Sequence, residues 1–396
     1  MDGHTQIGRV AGRGAIEAPE QALAGRSLAP GTPLVVERTA DGLLLLPALP
    51  DARRIYFEPT TRCSLACRTC IRHSWDQGPA DLDYALFADL VAQLRSFPQM
   101  ESAHFAGFGE PLLHPRILDM LAAVREAGAR TEMTTNGLLL DERTARGLVE
   151  VGLGTLIVSV DGVEPGTYRS VRAGAELPTV LENLRRVARV REEAGSPLPR
   201  LGVEFVAMRG NYREITDLLR LATEMRLDYV LLSNVLPYSE AMAGQTLYGD
   251  GAVDLRVSPW HRWHWGGERL RVPEMRLRTE RLCRFVERAA FVVAADGAVS
   301  PCYALMHSHT EYIFGRKKRV ERWAVGDARQ RSLVDIWTDP DYVRFRSRVR
   351  RFAFPSCPDC HQVDGCYFAQ SNAEDCWGNA PTCADCLWSR GMILCF

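Results

Sequence analysis

The 396 residues contain no apolar stretch of 18, the length a helix needs to cross a bilayer. The opening MDGHTQIGRVAGRG lacks the hydrophobic core of a secretory leader, so a cytoplasmic chain is expected. Neither sign of charge dominates. Lys and Arg number 48 against 49 Asp and Glu, which argues against a general nucleic-acid coat. Hydrophobic residues at 46% and charged residues at 24% exclude disorder, collagen and coiled coil. At about 150 residues per domain, the length suggests two to three domains. Cysteine is missing from 71 to 282. Twelve cysteines are present nonetheless: three at 63, 67 and 70, and nine between 283 and 395. Thiols stay reduced in the cytoplasm, so ligation of metals or clusters is expected rather than disulfides.

Residues 51–235 alternate strand-like and helical runs. The strands are expected at 54–59, 102–107, 131–136, 155–160, 201–208 and 229–234. Helical spacing fills 82–97, 115–128, 141–152, 178–195 and 213–226. Short connections between six such repeats predict an α/β fold, a partial (β/α)6 TIM barrel with its chemistry at the C-terminal strand ends. Residues 236–282 read as an irregular linker carrying PWHRWHW at 259–265. Residues 283–396 are dense in cysteine and weakly periodic, a segment that needs staples to fold. Residues 1–50 form a small unit: a short helix over 18–24, a turn at 28–33, a strand over 33–39, Ala40-Asp41-Gly42, and a strand over 43–47. One reading is a hairpin that caps the next domain. The run also resembles an AbrB-like swapped-hairpin domain. That resemblance implies a homodimer through residues 1–48. DNA binding is not expected, since only Arg9, Arg13 and Arg26 lie nearby.

Cys63, Cys67 and Cys70 form C-x3-C-x2-C directly after the first strand. Three thiolates on one loop suit three irons of a [4Fe–4S] cube and leave the fourth iron open. A structural zinc site wants four closed ligands and fits a lone triplet poorly. This spacing at this place resembles the radical S-adenosylmethionine (radical SAM) superfamily, although Thr69 stands where an aromatic residue is common. The resemblance implies SAM bound at the open iron and cleaved to a 5′-deoxyadenosyl radical. It also implies sensitivity of that cluster to oxygen. Gly107-Phe108-Gly109-Glu110-Pro111 resembles the family's Gly-Gly-Glu-Pro turn, with Phe108 at the usual middle glycine, and a carboxylate suits an ammonium partner. A plain strand-exit turn is the simpler reading. By the same resemblance Asn136, Ser159 and Asp161 lie near SAM, with Ser159 the stronger candidate. Arg172 either pairs with a carboxylate or is a solvated helix arginine. Glu204 is a further candidate for the cavity. Adenine contacts are not evident.

The tail repeats the pattern of strong spacing. Cys283, Gly297 and Cys302 match the C-x(9–15)-G-x4-C opening of the SPASM domain, and Cys357, Cys360 and Cys366 match its C-x2-C-x5-C. Gln370 stands where a further cysteine is usual, and Cys376, Cys383, Cys386 and Cys395 follow. The resemblance implies two auxiliary [4Fe–4S] clusters. It places Cys283 and Cys302 with Cys376, and Cys357, Cys360 and Cys366 with one of Cys383, Cys386 or Cys395. A two-knuckle zinc module built on Cys357-x2-Cys360 and Cys383-x2-Cys386 is the rival.

Within the SPASM group the chain looks most like the tungsten-cofactor oxidoreductase maturases. The supporting residues are EPTTRCSLACRTCIRHSWD (58–76), SNVLPYSEAM (233–242) and DCWGNAPTCADCLWSRGMILCF (375–396). This likeness implies a tungsten-enzyme client or its pterin cofactor as partner, and a ferredoxin or flavodoxin as electron donor. Peptide- or protein-modifying SPASM chemistry is the alternative, and a DNA-binding or redox-sensing regulator a third reading. Arg262, Arg269, Arg271, Arg276, Arg278 and Arg281 flank Trp260, Trp263 and Trp265. Arginine suits phosphate and indole suits pterin, but a solvated basic surface is the simpler reading.

Overall fold

The computed structural model describes residues 9–10, 16–17, 28, 31–39, 42–75, 77–249, 251–255 and 257–395. The expected helix over 18–24 lies outside the described residues. Two strands, β1 (Leu34–Thr39) and β2 (Gly42–Pro47), pair antiparallel. The six expected repeats follow. Their strands are β3 (Arg54–Phe57), β4 (Ser102–Phe105), β5 (Arg130–Thr135), β6 (Thr155–Ser159), β7 (Arg200–Ala207) and β8 (Tyr229–Asn234). The helices between them are α1 (Tyr84–Gln93), α2 (Ile117–Glu126), α3 (Glu142–Glu150), α4 (Pro165–Val171), α5 (Leu177–Glu193) and α6 (Ile215–Glu224). Asp83 and Asp141 cap α1 and α3 by accepting from the amides of Leu86 and Thr144. The stripe of Leu177, Val180, Leu184, Val187 and Val190 explains why α5 packs on the sheet: every member is buried at helical spacing.

The sheet is wider than six strands. Its order is β9-β8-β7-β6-β5-β4-β3-β10-β11-β14, where β9 is Leu270–Arg271, β10 Ala290–Val293, β11 Ala298–Ser300 and β14 Gly326–Asp327. Strand β9 is parallel to β8, and β10 is parallel to β3. The segment read as a linker therefore closes one sheet edge, and the cysteine-rich segment closes the other. PWHRWHW is not irregular: it forms α7 (Pro259–Arg269), capped by Ser258. The two-residue period explains the division of the core at β3. Ile55 and Phe57 face the helices, while Tyr56 points the other way, against Phe285 and Tyr303.

A short helix α8 (Arg284–Glu287) precedes β10, and beyond β11 the hairpin β12 (His309–Ile313) and β13 (Arg316–Val320) leads to α9 (Leu333–Trp337) and α10 (Pro340–Arg351). The basic run 343–352 is that last helix. Its Phe345, Arg346 and Val349 are buried, with Arg346 flat over Trp337 at 3.8 Å. The β1–β2 hairpin rests on α10 through Val35, Leu46 and Val343. Its other face leaves Leu34, Val36 and Leu43 about half exposed. Among the described residues, no helix is long and apolar enough to cross a membrane.

Candidate active site

The loop after β3 carries Cys63, Cys67 and Cys70 and is pinned by backbone. The amides of Ala66 and Arg68 donate to the carbonyls of Ala173 and Val171. Donors also surround the sulfurs. The Leu65 amide reaches Cys63 Sγ at 3.5 Å, Asn136 Nδ2 the same sulfur at 3.9 Å, and Arg172 Nη1 reaches Cys67 Sγ at 3.7 Å. Such N–H groups are what cluster-bound thiolates require, and they tune the potential. Burial pushes the free Cys67 and Cys70 thiols up, and for Cys67 Arg172 opposes that rise.

One cavity of about 150 Å³ gathers the expected residues. Cys63, Cys67, Cys70, Gly107, Gly109, Glu110, Asn136, Ser159 and Arg172 all line it, with Thr134, Thr135 and Glu204. Two expected residues do not. Pro111 is buried behind Glu110, where it opens a 3₁₀ turn. Asp161 is fully buried and accepts from Arg172 Nε at 2.6 Å and from the Val206 amide at 2.7 Å. Arg172 is thus no solvated helix arginine. Burial opposes its charge, but Asp161 and Cys67 prevail and hold its pKa well above the ordinary value.

Glu110 accepts from Thr135 Oγ1 (2.6 Å), the Asn136 amide (2.7 Å) and the Leu112 amide (3.1 Å). A carboxylate has about four lone-pair sites, so one acceptor position is left. Burial holds its pKa above the usual range, as it does for Glu204, which accepts from Ser159 Oγ at 2.7 Å. The glycines are obligatory. A Cβ on Gly109 would stand 2.0 Å from the Thr60 carbonyl oxygen, and one on Gly107, at φ +118°, 2.6 Å from Glu58 Cγ.

Glu58 itself was not foreseen. It is fully buried and accepts from the amides of Phe108 and Ala295, and it contacts His307 Nε2 at 2.8 Å. It therefore bolts the cysteine-rich segment onto the end of β3. A residue pair 249 positions apart leaves no periodic signal in sequence.

A second cavity of about 210 Å³ lies inside the barrel and shares Cys70, Phe108, Thr134 and Glu204 with the first. Its far wall is the tail: Trp388, Ile393, Leu394 and Cys395. That wall is fastened to β8, where the Leu394 amide donates to Ser233 Oγ at 2.9 Å and Asn234 Nδ2 to the Met392 carbonyl at 3.0 Å.

The nine tail cysteines influence one another electrostatically in sets. Burial and then Cys283 and Cys386 raise Cys302 well above its usual pKa, while burial and then Cys386, Cys302 and Cys283 do the same for Cys383. Cys283, Cys302, Cys383 and Cys386 are thus one neighbourhood. Cys376 instead neighbours Cys357, whose pKa burial pushes up to about 11. Cys395 packs with Cys283 and Cys302 against Tyr56, Phe285 and Tyr303, and it also faces Arg54, Arg288, Arg271 and Arg284. Among the described residues, no three His, Cys, Asp or Glu side chains close on a single metal ion.

The arginine–tryptophan patch is also partly reassigned. Trp265 is a core residue at 1% exposure, with Arg269 over its ring. Arg278 pairs with Glu274, and Arg281 lies over Phe352. Arg262 and Arg271 line a common cavity.

These features agree with the comparisons. The family model of the radical SAM superfamily matches residues 57–222, and that of the SPASM iron-sulfur cluster-binding domain matches residues 283–361. The tungsten-containing aldehyde ferredoxin oxidoreductase cofactor-modifying protein of Pyrococcus furiosus is 37% identical over 86% of this chain and 96% of its own. A PqqA peptide cyclase of Streptomyces rochei is 29% identical over 54% of this chain and 56% of its own. Among solved structures, SuiB of Streptococcus suis bound to S-adenosylmethionine superposes with a TM-score of 0.55 over 81% of this chain and 73% of its own, at 17% identity. With nearly the whole of both chains aligned to the Pyrococcus protein, this chain belongs to the radical SAM superfamily, in the SPASM-bearing family of that cofactor-modifying protein.

Proposed function

We propose that this enzyme is a maturase that modifies the cofactor, or the protein, of a tungsten-dependent oxidoreductase of the aldehyde ferredoxin oxidoreductase type. The observation that carries the reading is the end-to-end likeness to a cofactor-modifying relative. Its radical chemistry has a fitting site, because the thiol loop and the interior cavity meet at the same strand ends. Cys63, Cys67 and Cys70 would hold the [4Fe–4S] cluster. Bound together, cluster and SAM supply a 5′-deoxyadenosyl radical. The free acceptor position of Glu110 suits the SAM ammonium. Gly107 and Gly109 keep the backbone close, Asn136 and Ser159 offer polar contacts, and Arg172, fixed by Asp161, sets the charge beside Cys67. Pro111 holds the turn that aims Glu110.

In the tail, Cys283, Cys302, Cys383 and Cys386 would hold one auxiliary cluster, and Cys357, Cys360, Cys366 and Cys376 the other. A ferredoxin or flavodoxin would feed these clusters. All twelve cysteines are free thiols, which suits a reducing cytoplasm. The barrel (51–235), the bridging segment (236–282) and the cluster segment (283–396) act as one catalytic body, since strands from all three join one sheet. The peptide-modifying alternative has weaker support: a PqqA peptide cyclase at 29% identity over about half of each chain, and solved structures at 15–17% identity.

The test starts from the client tungsten enzyme made in cells that lack this protein. Incubation with the reconstituted maturase, SAM and a reductant should release 5′-deoxyadenosine in step with a mass change in the client's cofactor or polypeptide. A client that is fully active and chemically unchanged without the maturase would overturn the reading.

Residues 1–50 are assigned to dimerisation. The support is the outer face of the β1–β2 hairpin, where Leu34, Val36 and Leu43 are exposed at 46%, 51% and 56%. Sedimentation should show a dimer for the full chain and a monomer for Val36→Asp/Leu43→Asp. A monomeric wild type would sink this assignment.

A further inference from the structure

A cavity of about 620 Å³ opens at the N-terminal ends of the barrel strands, the end opposite the cysteine loop. Arg54, Thr155 and Tyr229, which begin β3, β6 and β8, line it, as does Glu132, near the start of β5. Arg271 of β9 contributes from the sheet edge, Arg262 from α7, and Arg284 and Arg288 from the short helix that precedes β10. A five-residue strand spans roughly 15 Å, so this cavity is separate from the SAM site.

Five guanidinium groups face one carboxylate there, and that carboxylate is spoken for. Glu132 pairs with Arg54 and lies 3.2 Å from His104 Nδ1, and these partners hold its pKa at about 2 against the effect of burial. No hydrogen bond or ion pair with a described residue engages the side chains of Arg262, Arg284 or Arg288. Exposed arginines on the outer helices can find carboxylates: Arg169 pairs with Glu176, and Arg189 with both Glu142 and Glu193. The cavity cations also repel one another. Burial, then Arg288 and Arg284, brings Arg271 down to about 10. A concave site that holds like charges together in partial burial is stabilised when an anion enters. The planar guanidinium fork matches phosphate oxygens in pairs. Leu270, Val272 and Tyr229 add an apolar wall that a bare anion does not need.

We propose that this arginine cavity binds the phosphate or diphosphate group of an organic ligand. The site lies beside the barrel interior: Arg271 Nη1 donates to the Cys395 carbonyl at 3.3 Å, and Cys395 lines the interior cavity. A phosphorylated substrate held here by its anionic end would be gripped away from the reacting atoms. Binding energy from such a remote group is well placed to position the reacting end.

Calorimetric titration of the anaerobically reconstituted full chain tests this without reference to turnover. The probes are inorganic pyrophosphate, adenosine 5′-diphosphate and, as a carboxylate control, acetate. Pyrophosphate should bind about ten-fold or more tighter than acetate, because each charged hydrogen bond contributes about a factor of ten. Arg284→Gln/Arg288→Gln should weaken pyrophosphate at least about ten-fold, with SAM binding unchanged. Arg262 is exposed, so Arg262→Gln keeps the fold and should weaken binding about three-fold or more. Arg220→Gln, on the distant surface of α6, should have no effect. Tighter binding of the nucleotide than of pyrophosphate supports an organic ligand, and the reverse overturns that part of the assignment. Pyrophosphate affinity equal to that of acetate, or unaltered by both the double and the Arg262 variants, overturns the site itself.

Discussion

Anaerobically purified protein should carry about twelve irons per chain, and the Cys63→Ala/Cys67→Ala/Cys70→Ala variant about eight. Formation of 5′-deoxyadenosine from SAM should vanish with those four irons. The structural reason is that the triplet and the tail sites are built separately. The triplet rests on the 171–173 backbone and on Arg172, whereas the tail cysteines rest on one another. The same experiment tests the grouping of the tail thiols. Cys383→Ala/Cys386→Ala should also hold about eight irons, since both partners of Cys283 and Cys302 are gone. Cys395→Ala should keep about twelve. A loss of irons on changing Cys395 would break the four-and-four division. About four irons with bound zinc in the wild type would make the tail a zinc module and remove the electron relay, leaving the SAM site as it is.

Asp161→Ala should destabilise the fold by ~3–5 kcal/mol in chemical denaturation, the cost of stranding one member of a buried ion pair. Asp161 is wholly buried and the Arg172 side chain only 11% exposed. Removing the carboxylate takes the ion-pair partner from the buried Arg172 guanidinium and the acceptor from the Val206 amide. Asp161→Ala/Arg172→Met removes both charges, so it should lose less than the sum of the two single variants, by ~1–3 kcal/mol. Strict additivity would show that the pair carries no coupling and that Asp161 acts on β7 alone.

The six βα repeats were legible because each strand and helix declares itself by local period. The expected strand 229–234 agrees in both bounds with β8, and the expected helix 178–195 covers all but the first residue of α5. The thiol triplet was legible for the same reason, since its ligands lie within eight residues. What escaped depends on pairing at long range. β9 has two residues and β10 four, too short to show alternation, and each becomes a strand only because a barrel edge accepts it. Helix α7 was hidden because its aromatic and basic residues look like a surface patch, while the buried Trp265 ties it to the core. Spacing says which cysteines are near in sequence, whereas Cys283 and Cys383 pack against one core from positions a hundred residues apart. The resemblance places Asp161 near SAM, while in the structure its carboxylate is buried and paired with Arg172, a partner eleven positions on that no local period announces.

The far wall of the interior cavity is made by residues 388–395, fastened to Ser233 and Asn234 some 160 positions earlier. Translation sets a clock on that arrangement. At about 5–20 residues per second, the ribosome finishes β8 roughly 10–30 s before it delivers the wall. During that interval the nascent barrel has its cysteine loop but an open flank. Iron–sulfur assembly proteins would then reach the loop from the flank that residues 388–395 later cover, so slower translation of the 235–387 stretch should favour loading of the first cluster, and synonymous codon choice there becomes a lever on how much of the enzyme emerges active.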